Sequence, residues 1–210
     1  MSNNARRVWI ALLEKNLDFE VVDVQLNGDQ FQPEYLALNP FHHVPVLVDD
    51  GFTVIESLAV LDYLEAKYPT PALLPKNPQD LATVKMINLV NVNELAPALI
   101  TIMRDNLEVE VEAEKLAQAQ TQVAKVMKFY SEKLGDKEFF VSGQYTIADI
   151  VAGLSVHFLT KIGFSLAEYP SLENWLKGLQ QREAWQKVLP TPEAFAEFKA
   201  RVKAIILSRQ

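Results

Sequence analysis

The sequence predicts an α+β domain over residues 1–70, followed by an all-helical domain over residues 79–210. Patterns typical of helices and of strands alternate in the first 68 residues, whereas the apolar positions beyond residue 79 follow the helical period. Four prolines lie between residues 69 and 78, and proline interrupts regular structure. We therefore place a linker at residues 71–78.

Five segments of the first domain have patterns that predict an element. Residues 7–14 place apolar side chains on one helical face, and residues 19–24 alternate as a strand does. A proline in the first turn predicts a short helix at residues 33–36, and an Asp-Gly dipeptide predicts a hairpin over residues 46–55. Residues 57–68 return to the helical period. The predicted order is helix, strand, short helix, strand, strand, helix.

The second domain is predicted to contain two long helices and several shorter ones. Its long helices span residues 79–106 and 108–134, and the first of them contains a proline at which it could bend. Thr146 and Asp149 have the spacing of a capping box, which predicts a helix beginning after Thr146. The shorter helices are predicted near residues 171–179 and 191–208.

The composition excludes several kinds of chemistry. The chain has no cysteine, so disulfides, cysteine nucleophiles and thiolate metal sites cannot form, and three histidines are too few for most metal centres. The net charge of −7 disfavours binding to nucleic acid or anionic lipid, and no uninterrupted apolar run has the length of a membrane span. We expect a soluble, cytoplasmic protein with no metal site, no nucleic-acid partner and no membrane contact.

The segment His43-Val44-Pro45 places a proline at the entrance to a predicted strand. Proline cannot donate to a sheet, so this position indicates an open edge, often with a cis peptide bond. The backbone of Val44 could then pair with an extended peptide. An ordinary turn proline is the alternative, and the local sequence alone favours it.

Two further candidates lie at predicted helix starts. Glu56 and Ser57 begin the helix after the hairpin, where backbone N–H groups and the helix dipole favour an anion. Ser2 precedes the first helix, where its hydroxyl could donate to a bound anion. Plain N-capping at Glu56-Ser57 and a frayed terminus at Ser2 are the alternatives.

Three stretches in this order resemble the soluble glutathione transferases, particularly the serine-type theta and phi-like branch. They are ARRVWIALLEKNLDFEVVDV, PEYLALNPFHHVPVLVDDGFTVIESLAVLDYLEAKYP and YTIADI. The resemblance implies a thioredoxin-like N-terminal domain, an all-helical C-terminal domain and a cytoplasmic homodimer. It also implies glutathione as a co-substrate, a small electrophile as the second substrate, and no separate cofactor.

The resemblance also implies a glutathione site on the first domain. By position, Val44 would offer its backbone to the cysteinyl part of glutathione, with Pro45 cis. Glu56 and Ser57 would hold the γ-glutamyl end, and His43 would lie near the glycyl carboxylate.

Ser2 stands where the family places its catalytic serine. A hydroxyl that donates to the thiolate would lower the pKa of the glutathione thiol, so the expected function is conjugation of glutathione to small electrophiles. The family's first strand has no counterpart in this sequence, so either the true start lies upstream or the sheet is reorganised, and we expect weak conjugating activity from the 210-residue form. A non-catalytic binding or interaction protein with the same fold is the alternative.

Overall fold

A computed structural model describes residues 2–207 of the chain. Residue 1 and residues 208–210, which include the predicted end of the last helix, lie outside this description. The chain divides into two compact units, Met1–Leu73 (unit 1) and Leu74–Gln210 (unit 2). Unit 1 combines helices with strands, and the described part of unit 2 is helical apart from an isolated bridge between Val141 and Gln144. The predicted fold class is confirmed.

The elements of unit 1 are α1 (Asn3–Glu14), a 3-10 turn (Asp29–Phe31), α2 (Pro33–Leu38), β1 (Val46–Asp49), β2 (Phe52–Ile55) and α3 (Ser57–Lys67). Within residues 2–207, β1 and β2 form a two-stranded antiparallel sheet. The turn between them has positive φ at Asp50 (51°) and Gly51 (78°), the backbone that an Asp-Gly hairpin requires. The predicted hairpin is confirmed.

The strand predicted at residues 19–24 is wrong, because the structure places this segment in irregular backbone. Its central valines are exposed, Val21 by 56% and Val22 by 76%, so neither face of the segment is buried. No strand of the described chain pairs with it, and a strand forms only where a neighbour accepts its hydrogen bonds.

Helices α1 and α3 pack against each other and run in the same direction. Arg7 near the start of α1 contacts Ser57 at the start of α3, and Lys15 after α1 contacts Glu65 near the end of α3. The apolar residues buried on the two helices include Val8, Ile10, Ala11, Val60, Leu61 and Leu64. Both N-termini therefore lie at one end of unit 1.

A buried ammonium group fixes the opposite end of unit 1. The Lys15 side chain is fully buried and donates from Nζ to Glu65 Oε2 at 2.6 Å. The same ammonium donates to the backbone carbonyls of Tyr68 at 2.7 Å and Pro71 at 2.9 Å. Lys15 thus fixes the position of the backbone that follows α3.

The elements described in unit 2 are α4 (Pro78–Val90), a π-helical segment (Asn91–Leu95), α5 (Ala96–Asn106), α6 (Ala113–Leu134), α7 (Ile147–Lys161), α8 (Pro170–Gln180), α9 (Glu183–Val188) and α10 (Pro192–Leu207). Helix α7 is the centre of the unit, since nearly all of its residues are buried. The short helix α9 was not predicted from the sequence.

Within the helix predicted at residues 79–106, a π-helical segment lies just before Pro97. Proline has no N–H to donate to the carbonyl four residues back, so the turn before it adopts a wider hydrogen-bonding pattern. By length and composition alone, the stretch Pro78–Asn106 could cross a membrane. Core helices pass the same test, and the burial of Val84, Ile87 and Leu95 is typical of one.

The predicted capping box at the start of α7 is confirmed. The Asp149 carboxylate accepts from the backbone N–H of Thr146 at 2.9 Å and from the Thr146 hydroxyl at 2.9 Å. It also accepts from the backbone N–H of Phe140 at 3.1 Å and from the indole N–H of Trp175 at 3.0 Å. Burial raises the pKa of Asp149 to about 6 in spite of these donors.

Candidate functional site

The hairpin brings the predicted binding residues of unit 1 to one edge. Val46 at the start of β1 lies opposite Ile55 at the end of β2, so the residues just before β1 adjoin those just after β2. His43 Nδ1 lies 4.0 Å from Glu56 Oε1, and both side chains are mainly exposed. His43 and Glu56 therefore lie close together on the surface, and the buried Ser57 follows Glu56 in the chain.

The turn before β1 is held by two side chains that converge on one carbonyl. The Val44–Pro45 peptide bond is cis, as expected. The carbonyl oxygen of His43 accepts from the Tyr35 hydroxyl at 2.6 Å and from Asn39 Nδ2 at 2.9 Å. Asn39 is fully buried, and burial raises the pKa of Tyr35, which keeps its hydroxyl protonated. These contacts fix the backbone that leads into Val44.

At the start of α3, Glu56 and Ser57 do not act as ordinary caps. Glu56 occupies the N-cap position with a φ of 65°, and its side chain makes no capping hydrogen bond. Ser57 is the first residue of the helix and is buried. Its Oγ accepts from Arg7 Nη1 at 3.4 Å. The structure thus offers no support for the plain N-capping alternative.

Ser2 is the N-cap of α1, and its Oγ accepts from the backbone N–H of Ala5 at 3.4 Å. The side chain is half-buried, and its backbone carbonyl also accepts the helical hydrogen bond from Arg6. Ser2 therefore begins α1 as its N-cap, with its side chain in a capping contact. Because Oγ accepts here, its proton is available to a ligand.

The N-terminal end of α1 and α3 is electropositive. Each helix is long enough to carry a partial positive charge at its N-terminus, and the two termini lie at the same end. Arg6 and Arg7 are both buried on the first turns of α1. Burial lowers the pKa of Arg6 to about 10, which still leaves it charged at neutral pH. Such an end can bind a carboxylate.

Sequence reasoning missed three residues that shape this region: Tyr35, Asn39 and Arg7. Tyr35 lies within the short helix predicted at residues 33–36, and Asn39 lies just beyond it. Arg7 lies three residues before Ile10 and so on the buried face of α1, which is an unusual place for a charge. The position of Arg7 on the apolar face of the helix was therefore the sequence signal that could have identified it. Among the described residues, no group of histidine and acidic side chains could hold a metal ion.

Comparison with known proteins identifies the family. The glutathione S-transferase N-terminal domain matches residues 1–72, and the glutathione S-transferase C-terminal domain matches residues 64–183. Maleylacetoacetate isomerase of Rattus norvegicus is 31% identical over 198 residues, which cover 92% of this chain and 91% of that protein. Glutathione S-transferase F13 of Arabidopsis thaliana is 30% identical over 201 residues, which cover 90% and 92%.

The crystal structure of glutathione transferase F7 from Populus trichocarpa superposes with a TM-score of 0.78 at 29% identity, covering 90% of this chain and 93% of that one. The chain therefore belongs to the soluble glutathione S-transferase family, as its motifs predicted. Members of this family are enzymes that bind glutathione and electrophilic substrates, and glutathione is their co-substrate.

Proposed function

We propose that this protein binds glutathione at the N-terminal end of α1 and α3 in unit 1 and transfers the glutathione thiolate to small electrophiles. The observation that carries the proposal is the arrangement of the Val44–Pro45 turn beside the electropositive start of α3. An extended peptide can pair with the backbone at the turn while its carboxylate binds at the helix start. Family membership supports the same assignment.

Each part of glutathione has a partner of suitable chemistry. The backbone of Val44 pairs with the cysteinyl residue, and His43, which is exposed beside it, binds the glycyl carboxylate. The Glu56 carboxylate binds the γ-glutamyl amine, and the Ser57 hydroxyl donates to the γ-glutamyl carboxylate. The negative Glu56 carboxylate suits the positive amine of an amino acid, and the partial positive charge at the start of α3 suits its carboxylate.

Ser2 activates the nucleophile in this proposal. A thiol is a weak nucleophile near neutral pH, and a hydroxyl that donates to the thiolate stabilises the charged form. The Ala5 N–H occupies one lone pair of Ser2 Oγ, so the Ser2 proton can point to the sulfur. The thiol proton passes to water, and the thiolate attacks the electrophilic carbon to form a C–S bond. In a substitution the leaving group departs with the electron pair of its bond, and in an addition the substrate takes up a proton.

Calorimetry and steady-state kinetics test these roles separately. Ser57→Ala should weaken glutathione binding by about 1–2 kcal/mol, because the lost hydrogen bond is to a charged group. Ser2→Ala should lower kcat much more than it weakens binding, because its bond matters most to the thiolate. Equal affinity in Ser57→Ala would remove Ser57 from the site. Binding without turnover in the unsubstituted chain would favour the non-catalytic alternative.

The proposal includes a cytoplasmic homodimer. Met86 and Leu89 on α4 and Ile100 on α5 are exposed apolar side chains, by 42%, 53% and 65%. A second copy that covers such residues would remove them from water. Light scattering should give twice the chain mass, and Leu89→Glu should shift the protein to monomer. A monomeric parent protein would contradict this part of the proposal.

A further inference from the structure

The contact between Arg7 and Ser57 joins two residues that lie 50 positions apart in the sequence. Arg7 is 3% exposed and Ser57 is 6% exposed, so both polar groups are buried. We infer that Arg7 is a positioning residue for glutathione recognition, which directs the Ser57 hydroxyl proton and adds positive charge opposite the γ-glutamyl carboxylate. This inference rests on the proposed glutathione site.

The direction of the hydrogen bond follows from the chemistry of arginine. A guanidinium group has N–H donors and no acceptor, so Ser57 Oγ must accept from Arg7 Nη1. The Ser57 proton must then point to some other acceptor. Glu56 makes no side-chain capping bond at this helix start. A carboxylate bound at the start of α3 is an acceptor of the right charge for that proton.

The position of the Arg7 guanidinium charge supports the same role in binding the carboxylate. A carboxylate oxygen that accepts from Ser57 at an ordinary hydrogen-bond length would lie within about 6 Å of Arg7 Nη1. At this distance, and shielded from water, a positive charge favours the bound anion. Arg6, the neighbouring buried arginine, instead donates from Nη1 to Asn3 Oδ1 at 3.4 Å. The two arginines are adjacent in sequence, but Arg6 contacts Asn3 and Arg7 contacts Ser57, so Arg6→Met controls for the loss of a buried cation from α1.

The inference predicts ligand selectivity. Arg7 should matter for ligands that carry the γ-glutamyl carboxylate and should matter much less for a ligand without it. A hydrogen bond to a charged group changes a dissociation constant by about 10- to 100-fold. A purely structural role of Arg7 would weaken every ligand of the site by the same factor.

The experiment compares two ligands by calorimetry on the full chain. One is glutathione, and the other is 4-aminobutyryl-cysteinyl-glycine, which is glutathione without the γ-glutamyl carboxylate. The measured quantity is the dissociation constant of the ligand without the carboxylate divided by the dissociation constant of glutathione. Arg7→Met should reduce this ratio about 10-fold or more, while Arg7→Lys should recover part of it because lysine keeps the donor and the charge. Arg6→Met, which removes a cation from the same end of unit 1 but no contact with Ser57, should reduce the ratio less than Arg7→Met does.

A double substitution tests whether Arg7 acts through Ser57. If it does, the effects of Arg7→Met and Ser57→Ala on the ratio should be strongly non-additive. Additive effects, or an unchanged ratio in both Arg7 variants, would overturn the inference while leaving the proposed function intact. Absence of glutathione binding by the unsubstituted protein would overturn the proposed function and this inference with it. If Arg7→Met fails to fold, the test uses Arg7→Lys and Ser57→Ala. The inference would then be overturned if neither of these two variants changed the ratio.

Discussion

Replacing Asp149 with alanine removes the acceptor of four hydrogen bonds inside unit 2. The Thr146 hydroxyl can rotate to another acceptor, but the backbone N–H groups of Phe140 and Thr146 and the Trp175 indole N–H would stay buried. Each stranded donor costs about 1–2 kcal/mol, so we expect a loss of about 3–6 kcal/mol. A helix cap alone would account for about 0.5–2 kcal/mol.

The loss of stability caused by Asp149→Ala should depend on pH. The pKa of Asp149 is raised from 3.8 to about 6, so between these values the folded state binds more protons than the unfolded state. Stability contributed by Asp149 is therefore greatest at low pH and falls as pH rises towards 6. Between pH 5.0 and pH 7.5 the change should be about 1 kcal/mol.

Urea denaturation of the parent protein and of Asp149→Ala at both pH values measures these effects. The difference in the free energy of unfolding between the two proteins should be larger at pH 5.0. Asp136→Ala, at an exposed aspartate of the same unit, controls for removal of a carboxylate. A difference below 1 kcal/mol at pH 7.5, or one that grows with pH, would refute the reasoning.

Three other substitutions have defined expectations. Asn39→Ala removes one of the two donors to the carbonyl before Val44, so calorimetry should show about tenfold weaker glutathione binding; unchanged affinity would contradict that role. Lys15→Met leaves a partly buried carboxylate and two carbonyls without their buried cation, so the urea transition should show a loss of about 3 kcal/mol; a loss below 1 kcal/mol would contradict the burial argument. Gly153→Ala would place a Cβ 2.6 Å from both a leucine and a tryptophan side chain, so the free energy of unfolding should fall by about 1–3 kcal/mol. Gly178→Ala, which meets open space in α8, is its control and should be neutral or stabilising.

Local signals were sufficient for much of the fold. The hairpin follows from an Asp-Gly turn between two short apolar runs, and α7 follows from the spacing of Thr146 and Asp149. Such features are decided by residues within about ten positions of each other. The residues proposed to bind glutathione were singled out by the local Val-Pro and Glu-Ser motifs, and the family resemblance supplied their expected roles.

Features that depend on distant partners could not be predicted. The alternation of residues 19–24 is the pattern of a strand, but the segment becomes one only with a neighbour that pairs with it. The full environment of Asp149 includes Trp175, which lies 26 residues away. The contact of Arg7 with Ser57 spans most of unit 1, and only the folded chain reveals it.

The buried ammonium of Lys15 has a consequence for where unit 1 can be cut from the rest of the chain. Helix α3 ends at Lys67, which makes that position an apparent boundary for expressing the unit alone. Two of the three acceptors of Lys15, the carbonyls of Tyr68 and Pro71, lie beyond it. A fragment that stops at the helix end would keep a charged lysine inside with a single acceptor, whereas a fragment that continues to Leu73 would keep all three.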